Sequence, residues 1–166
     1  MLKVTSARRW NGSGLRVGVI AARYNAKYVD GMRRAARACL EGAGVEVEEF
    51  RVPGSFEIPV AAAALARRET GRPDALVCLG VIWQGETDHA QHIGAAVTTA
   101  LMALQVETGV PCIHAVLTLQ SEQQARVRCL GERTNRGLEA AQTAIQMGRL
   151  LRRLRLNNGA GNQSIR

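Results

Sequence analysis

Rings are scarce in this chain: Phe, Trp and Tyr together make up 4% of its 166 residues. Aliphatic side chains and alanine must therefore fill the core, and an aromatic near a strand end stands out. No low-charge apolar run reaches the roughly 18 residues that a membrane span needs. Residues 1–11 hold no apolar signal core, so nothing argues for export. Cys39, Cys78, Cys112 and Cys129 stand singly, with no Cys-x-x-Cys pair. Buried free thiols in a reducing compartment are the expectation, which places the protein in the cytoplasm. Also absent are Gly-x-Gly-x-x-Gly, the P-loop Gly-Lys-Ser/Thr, the Gly-x-Ser-x-Gly elbow and a zinc signature. His89 and His92 have the spacing of a ligand pair, but no carboxylate or cysteine completes a set, so no metal is expected.

Positive charge, by contrast, is plentiful. Lys and Arg number 22 against 14 Asp and Glu, for a formal net charge of +8, and arginine dominates. Arg149, Arg152, Arg153, Arg155 and Arg166 fall within the last 18 residues. Such an end can bind nucleic acid or another polyanion, or it can be a solvated helix terminus, where cations suit the dipole. The second is the expectation, and nucleic acid is not expected as a partner.

The apolar pattern alternates strands with helices. Residues 15–21 form a β-branched run that reads as a strand. Val29, Met32, Ala36, Cys39 and Leu40 recur at helical spacing over 27–40, and Gly42 and Gly44 stop that helix. Further strands are expected at 45–51, 75–81 and 110–118, and further helices at 60–68, 89–108, 121–128 and 135–156. Residues 1–14 read as an extended arm, and 157–166, with two glycines and three asparagines, as a disordered tail. Four β-α units and a closing helix predict one α/β domain over 15–156. Its form is a three-layer α/β/α sandwich around a four-stranded parallel sheet.

In an open parallel sheet, ligands bind where strands end and helices begin. Gly85-Glu86-Thr87-Asp88 occupies that place between the third strand and the helix starting at His89. N–H groups at a helix start are unpaired and attract anions, phosphate above all. Gly85 lets the backbone approach a ligand, and His89 turns a titratable ring to the same place. An imidazole there can give and take protons, or it can serve only as a hydrogen-bonded structural group. Val52–Pro59 is a second loop-to-helix junction, with Ser55 expected as the N-cap and Pro59 in the first turn. Glu57 can hold a polar heterocycle or simply favour the helix dipole. Tyr24 and Trp83 can stack on a flat ring or pack in the core. Arg128 and Arg136 can pair with a phosphate or remain surface charges. The residues alone describe an anion-and-aromatic pocket with a poised histidine.

Four segments, taken together and in order, resemble the lumazine synthase family of riboflavin biosynthesis. They are Arg23-Tyr24-Asn25, Val52–Pro59, Leu79–His89 and Asn135–Ala141, and the resemblance runs from about Leu15 to Met147. It implies a flavodoxin-like fold and a transferase that works without metal or organic cofactor. The implied substrates are 5-amino-6-(D-ribitylamino)uracil and 3,4-dihydroxy-2-butanone 4-phosphate, and the product is 6,7-dimethyl-8-(D-ribityl)lumazine. By the resemblance His89 moves protons and Tyr24 stacks on the uracil. Ser55, Phe56 and Glu57 bind the uracil and ribityl part, and Val81, Ile82 and Trp83 line the ring pocket. Glu86 and Thr87 offer N–H groups to the butanone phosphate, and Arg128 pairs with it from a neighbouring subunit. His114 takes a position in the uracil pocket where the family usually has phenylalanine. Trp83 replaces a smaller aliphatic, Gln84 an arginine, and Arg136 and Glu132 lysines.

The implied partners are small-molecule substrates and further copies of the chain, with sites at the subunit interfaces. Riboflavin synthase is a candidate partner by the same resemblance. Family assemblies are pentamers, pairs of pentamers or icosahedral shells. The loop 129–136 carries no insertion relative to shell-forming relatives, which favours a shell, and the arm 1–14 would then pair with a neighbour's sheet. Two alternatives sit on the same scaffold. One is a non-catalytic lumazine or flavin binder, suggested by His114 and Trp83. The other is a shell that packages polyanions, suggested by the net charge.

Overall fold

The β-branched and apolar runs pair side by side, all in one direction. The computed structural model describes residues 10–160, the last three by backbone alone. The arm expected at 1–14 therefore lies mostly outside the described residues, and so does its pairing with a neighbour. The elements are β1 (Arg16–Ala22), α1 (Ala26–Gly42), β2 (Glu46–Val52), α2 (Ile58–Ala66), β3 (Ala75–Trp83), α3 (His89–Thr108), β4 (Cys112–Leu119), α4 (Glu122–Ala125) and α5 (Arg136–Ala160). Every strand pair is parallel, and the order is β2-β1-β3-β4.

Helices cover both faces of this sheet. On one face Met32, Leu40 and Ile145, from α1 and α5, pack on Val17, Val19 and Leu79. On the other, Ile58, Leu65, Leu101 and Leu104, from α2 and α3, pack on Ile20, Leu76 and Cys78. The result is a three-layer α/β/α sandwich, the architecture expected. β1 and β3 lie inside the sheet and are buried nearly throughout, which explains their unbroken apolar sequence. β2 lies at an edge and carries its charge in pairs. Arg16 meets Glu46 at 2.9 Å, Arg68 meets Glu48 at 2.8 Å, and Arg33 and Arg37 meet Glu49 at 3.0 and 3.2 Å. Charged side chains on an edge strand discourage pairing with another sheet.

Three expectations need correction. Ser55 is not a side-chain N-cap. It opens a 3-10 turn, Ser55–Glu57, and its buried hydroxyl lies over β3, against the space a Cβ on Gly80 would occupy. The segment 121–128 is also not one short α-helix. After α4 the chain winds into a π turn over Arg126–Leu130. Finally, α5 continues past 156 to Ala160, because adding a residue to an existing helix costs little even for Asn and Gly. The end of the tail, 161–166, lies outside the described residues.

The basic end has a structural use. Arg149 donates to the Asn11 carbonyl at 2.6 Å, and Arg155 to the Gly109 carbonyl at 2.5 Å. Arg152 reaches the Gly14 carbonyl at 2.8 Å and the Asp74 carboxylate at 2.7 Å. Arg72 takes the Thr108 carbonyl. These guanidinium groups hold the loops that lead into β1, β3 and β4, so α5 clasps one end of the sheet.

The thiols are free, as expected, and Cys78, Cys112 and Cys129 are buried. Burial pushes the Cys112 and Cys129 thiols up to about 11, which keeps them protonated and unreactive.

Candidate functional site

The chain leaves β1 towards β2 on one side and later enters β3 on the other. Loops after β1 and β3 therefore diverge, and a crevice opens at the carboxyl ends of those strands. The loop after β1 is zipped to the loop after β2, since the Arg23 N–H donates to the Val52 carbonyl at 2.8 Å and Tyr24 N–H to Pro53 at 3.0 Å. Gly54 fits closely here, because a Cβ would come within 3.0 Å of the Tyr24 ring and 2.9 Å of the Glu57 carboxylate, and one of them would have to shift. Glu57 Oε2 accepts from the Gly54 N–H at 2.7 Å, so this carboxylate closes its own turn. Its remaining lone pairs stay available to a ligand.

These segments enclose a cavity of about 460 Å³. Its walls include Tyr24, Ser55, Phe56, Glu57, Val81, Ile82, Trp83 and His89, so eight of the residues singled out in the sequence meet there. Tyr24 is 68% exposed and Phe56 60%, so neither is packed into the core. Glu86 and Thr87 sit in the exposed turn between β3 and α3, beside this cavity in the chain but not among its lining residues. His92 is one helical turn past His89, and among the described residues no three His, Cys, Asp or Glu side chains gather as a ligand set.

Arg128 and His114, like Glu86 and Thr87, do not line the cavity of their own chain. Arg128 is exposed on the π turn. His114 stands on the edge strand β4. It pairs with Cys78 of β3, below the Val81–Trp83 wall of its own chain. Its Nε2 lies 3.0 Å from Thr98 Oγ1, which itself donates to the Gly94 carbonyl at 2.7 Å. The hydroxyl thus accepts, and Nε2 carries the proton. Although part of His114 is exposed, desolvation of its ring pushes the pKa down, favouring the neutral form.

The residue that sequence reasoning passed over is Asn25. It stands at the start of α1 with φ 58°, the left-handed region that Asn tolerates better than most residues. Its Nδ2 donates to the Val81 carbonyl at 2.8 Å, and its Oδ1 accepts from Trp83 Nε1 at 2.9 Å. One amide thereby joins the first loop to the far wall of the pocket. Tyr28 backs the same wall, edge-on to Trp83 with centroids 5.6 Å apart. An Asn directly after an aromatic at a strand-to-helix turn was the available signal.

Behind the wall, Glu122 gathers three donors: Lys27 at 3.1 Å, the Tyr28 hydroxyl at 3.0 Å and Arg126 at 2.9 Å. Lys27, then Tyr28 and Arg126, hold its carboxyl down at about 2. The folded pKa is lower than the unfolded one, so this contribution is full above about 4.5 and fades as pH falls towards 2. Glu122→Gln should therefore lower Tm at pH 7, and the gap from wild type should close between pH 5 and 2. A gap that does not change with pH would show that charge is not what Glu122 contributes.

Sheet order and pocket position together define a flavodoxin-like α/β/α protein with its ligand crevice at the strand ends. A family model described as 6,7-dimethyl-8-ribityllumazine synthase matches residues 14–152. The chain belongs to that family. It is 48% identical over 139 residues to the 6,7-dimethyl-8-ribityllumazine synthase of Kineococcus radiotolerans, covering 82% of this chain and 84% of that protein. It is 40% identical over 144 residues to the enzyme of the same name from Thermococcus gammatolerans, covering 86% and 92%. For that of Pyrococcus furiosus the identity is 38% over 150 residues, covering 90% and 93%.

Proposed function

We propose that this chain condenses 5-amino-6-(D-ribitylamino)uracil with 3,4-dihydroxy-2-butanone 4-phosphate, forming 6,7-dimethyl-8-(D-ribityl)lumazine, phosphate and water. The observation that carries the reading is the convergence of three separate segments on one ring-lined cavity. Tyr24 comes from the first, Ser55, Phe56 and Glu57 from the second, and Val81, Ile82, Trp83 and His89 from the third.

The chemistry is imine formation, phosphate elimination and ring closure, which needs proton transfer more than a strong nucleophile. Tyr24 offers its open ring face to the uracil. Ser55, Phe56 and Glu57 bind the uracil and ribityl part, and the ends of β3 present backbone groups to the ring. His89, in the first turn of α3, exchanges protons with the condensing amine and the ketone. Unpaired N–H groups beside Glu86 and Thr87 bind the phosphate of the second substrate, and Arg128 of a neighbouring subunit neutralises it. His114 takes its place in the uracil pocket in the same way, from a neighbour.

The working form is a cytoplasmic homo-oligomer built on pentamers, each copy contributing one domain over 15–156. Exposed Met102 and Val106 on α3 support a neighbour against that helix. An icosahedral shell and an association with riboflavin synthase remain part of this reading.

The test is lumazine absorbance with both substrates, for wild type, His89→Ala and Arg128→Ala. Wild type should form product. His89→Ala should lose on the order of 10²-fold in kcat. Arg128→Ala should raise KM for the butanone phosphate and spare that for the aminouracil. No product from the folded oligomer, above the uncatalysed reaction, would overturn the assignment.

A further inference from the structure

Arg128 stands in the middle of the π turn Arg126–Leu130. Such turns are rare and are frequently found at functional sites. The carbonyls on either side of Arg128 are both held by side chains from one short segment. The Val127 carbonyl accepts from Thr134 Oγ1 at 2.5 Å, and the Cys129 carbonyl from Asn135 Nδ2 at 2.7 Å. Asn135 is buried at 5% exposure, and its Oδ1 accepts from the Gly137 N–H at 2.9 Å, while Nδ2 also lies 3.4 Å from the Gly31 carbonyl.

The backbone around the turn is equally confined. A Cβ on Gly31 would sit 2.5 Å from the Cys129 carbonyl oxygen, and one on Gly131 would sit 2.6 Å from that of Val127. The Cys129 side chain is fully buried, whereas Arg128 points from the same turn into the open. Folding accounts for Asn135, whose buried amide needs partners. It does not account for Thr134. That residue is exposed, and water could satisfy the Val127 carbonyl at little cost. What the hydroxyl adds is a fixed direction for the peptide that carries Arg128.

We propose that Thr134 and Asn135 are positioning residues for Arg128, holding the two flanking carbonyls so that the guanidinium is presented in one orientation to a phosphate. This rests on the phosphate role given to Arg128 above. A flexible arginine loses rotamer and backbone freedom when it binds, and a pre-set backbone lowers that loss. The effect should appear in binding of the phosphate-bearing substrate and nowhere else.

The test uses the full-length assembled protein as wild type, Thr134→Val, Thr134→Ser, Arg128→Ala and the double variant Arg128→Ala/Thr134→Val. KM for each substrate, kcat and Tm are measured for all five. Thr134→Val keeps the side chain's shape at an exposed position and should fold. It should raise KM for the butanone phosphate about three- to tenfold, the size of one hydrogen bond, and leave KM for the aminouracil unchanged. Thr134→Ser restores the hydroxyl and should return the wild-type value. In the Arg128→Ala background Thr134→Val should add nothing.

If Arg128→Ala raises the phosphate KM and Thr134→Val does not, positioning is overturned and the Arg128 reading stands. A further rise in the double variant would also overturn it, because Thr134 would then act by another route. No change in phosphate KM on Arg128→Ala would remove the Arg128 reading and this proposal with it.

Discussion

Gly137→Ala should be the most destabilising single-methyl change in the protein. Gly137 lies in the first turn of α5, where that helix crosses α1. A Cβ there would collide with the Met32 carbonyl oxygen, and would lie only 2.6 and 2.7 Å from the Met32 carbonyl carbon and Cα. These are backbone atoms of a helix, so no rotamer change relieves them. Nor can α1 retreat freely, since the Met32 side chain is fully buried among Val19, Leu79 and Ala141. The helices would have to part, and overpacking of this kind costs about 3 kcal/mol. For a chain of this size that is roughly 6–12 °C in Tm. Gly42→Ala is the matched control. It lies at the end of α1 with nothing within 4 Å of the added Cβ, so it should be neutral or slightly stabilising. Equal Tm values for the two variants would mean that α5 does not seat closely on α1.

The contrast between those glycines marks what a sequence conveys and what it hides. Local periodicity carried the elements well. The helix expected at 89–108 is His89–Thr108, and the strand expected at 15–21 is Arg16–Ala22, because apolar repeats of one period leave few alternatives. The pocket residues were legible because the topology gathers the ends of successive strands at one edge, and the four segments resembling the family lie at or beside those ends. What stayed hidden depends on contacts between distant residues. Tyr28 and Glu122 are 94 residues apart, and nothing near either one announces the other. The π turn follows Ser121, whose hydroxyl does cap α4 at Gln124 N–H as a helix start should. Its continuation depends on Thr134 and Asn135, which lie beyond the turn. Ser55 failed as a cap because the Glu57 and Ile58 N–H groups it would meet donate to the Gly54 and Ser55 carbonyls in the 3-10 turn.

Asn25→Ala should weaken binding of the aminouracil more than any other change outside the ring-contacting residues. Three losses coincide. Alanine at φ 58° carries a left-handed penalty of roughly 1 kcal/mol that asparagine largely avoids. The Val81 carbonyl loses the Nδ2 donor at 2.8 Å, and Trp83 Nε1 loses its acceptor at 2.9 Å. At about 1 kcal/mol for each hydrogen bond, the two together reach on the order of tenfold or more in affinity if both are realised in the bound state. Trp83, held only by its edge contact with Tyr28, would then swing within the cavity and blur the wall on which the ring rests. Asn25→Gly separates backbone from side chain, since glycine adopts the left-handed region freely. It should recover much of the stability lost by Asn25→Ala and none of the affinity. Titrating each variant with the aminouracil, alongside a thermal melt, distinguishes the contributions. Full affinity in Asn25→Gly would show that the amide merely sets the turn, and that the Val81–Trp83 wall holds its place without it.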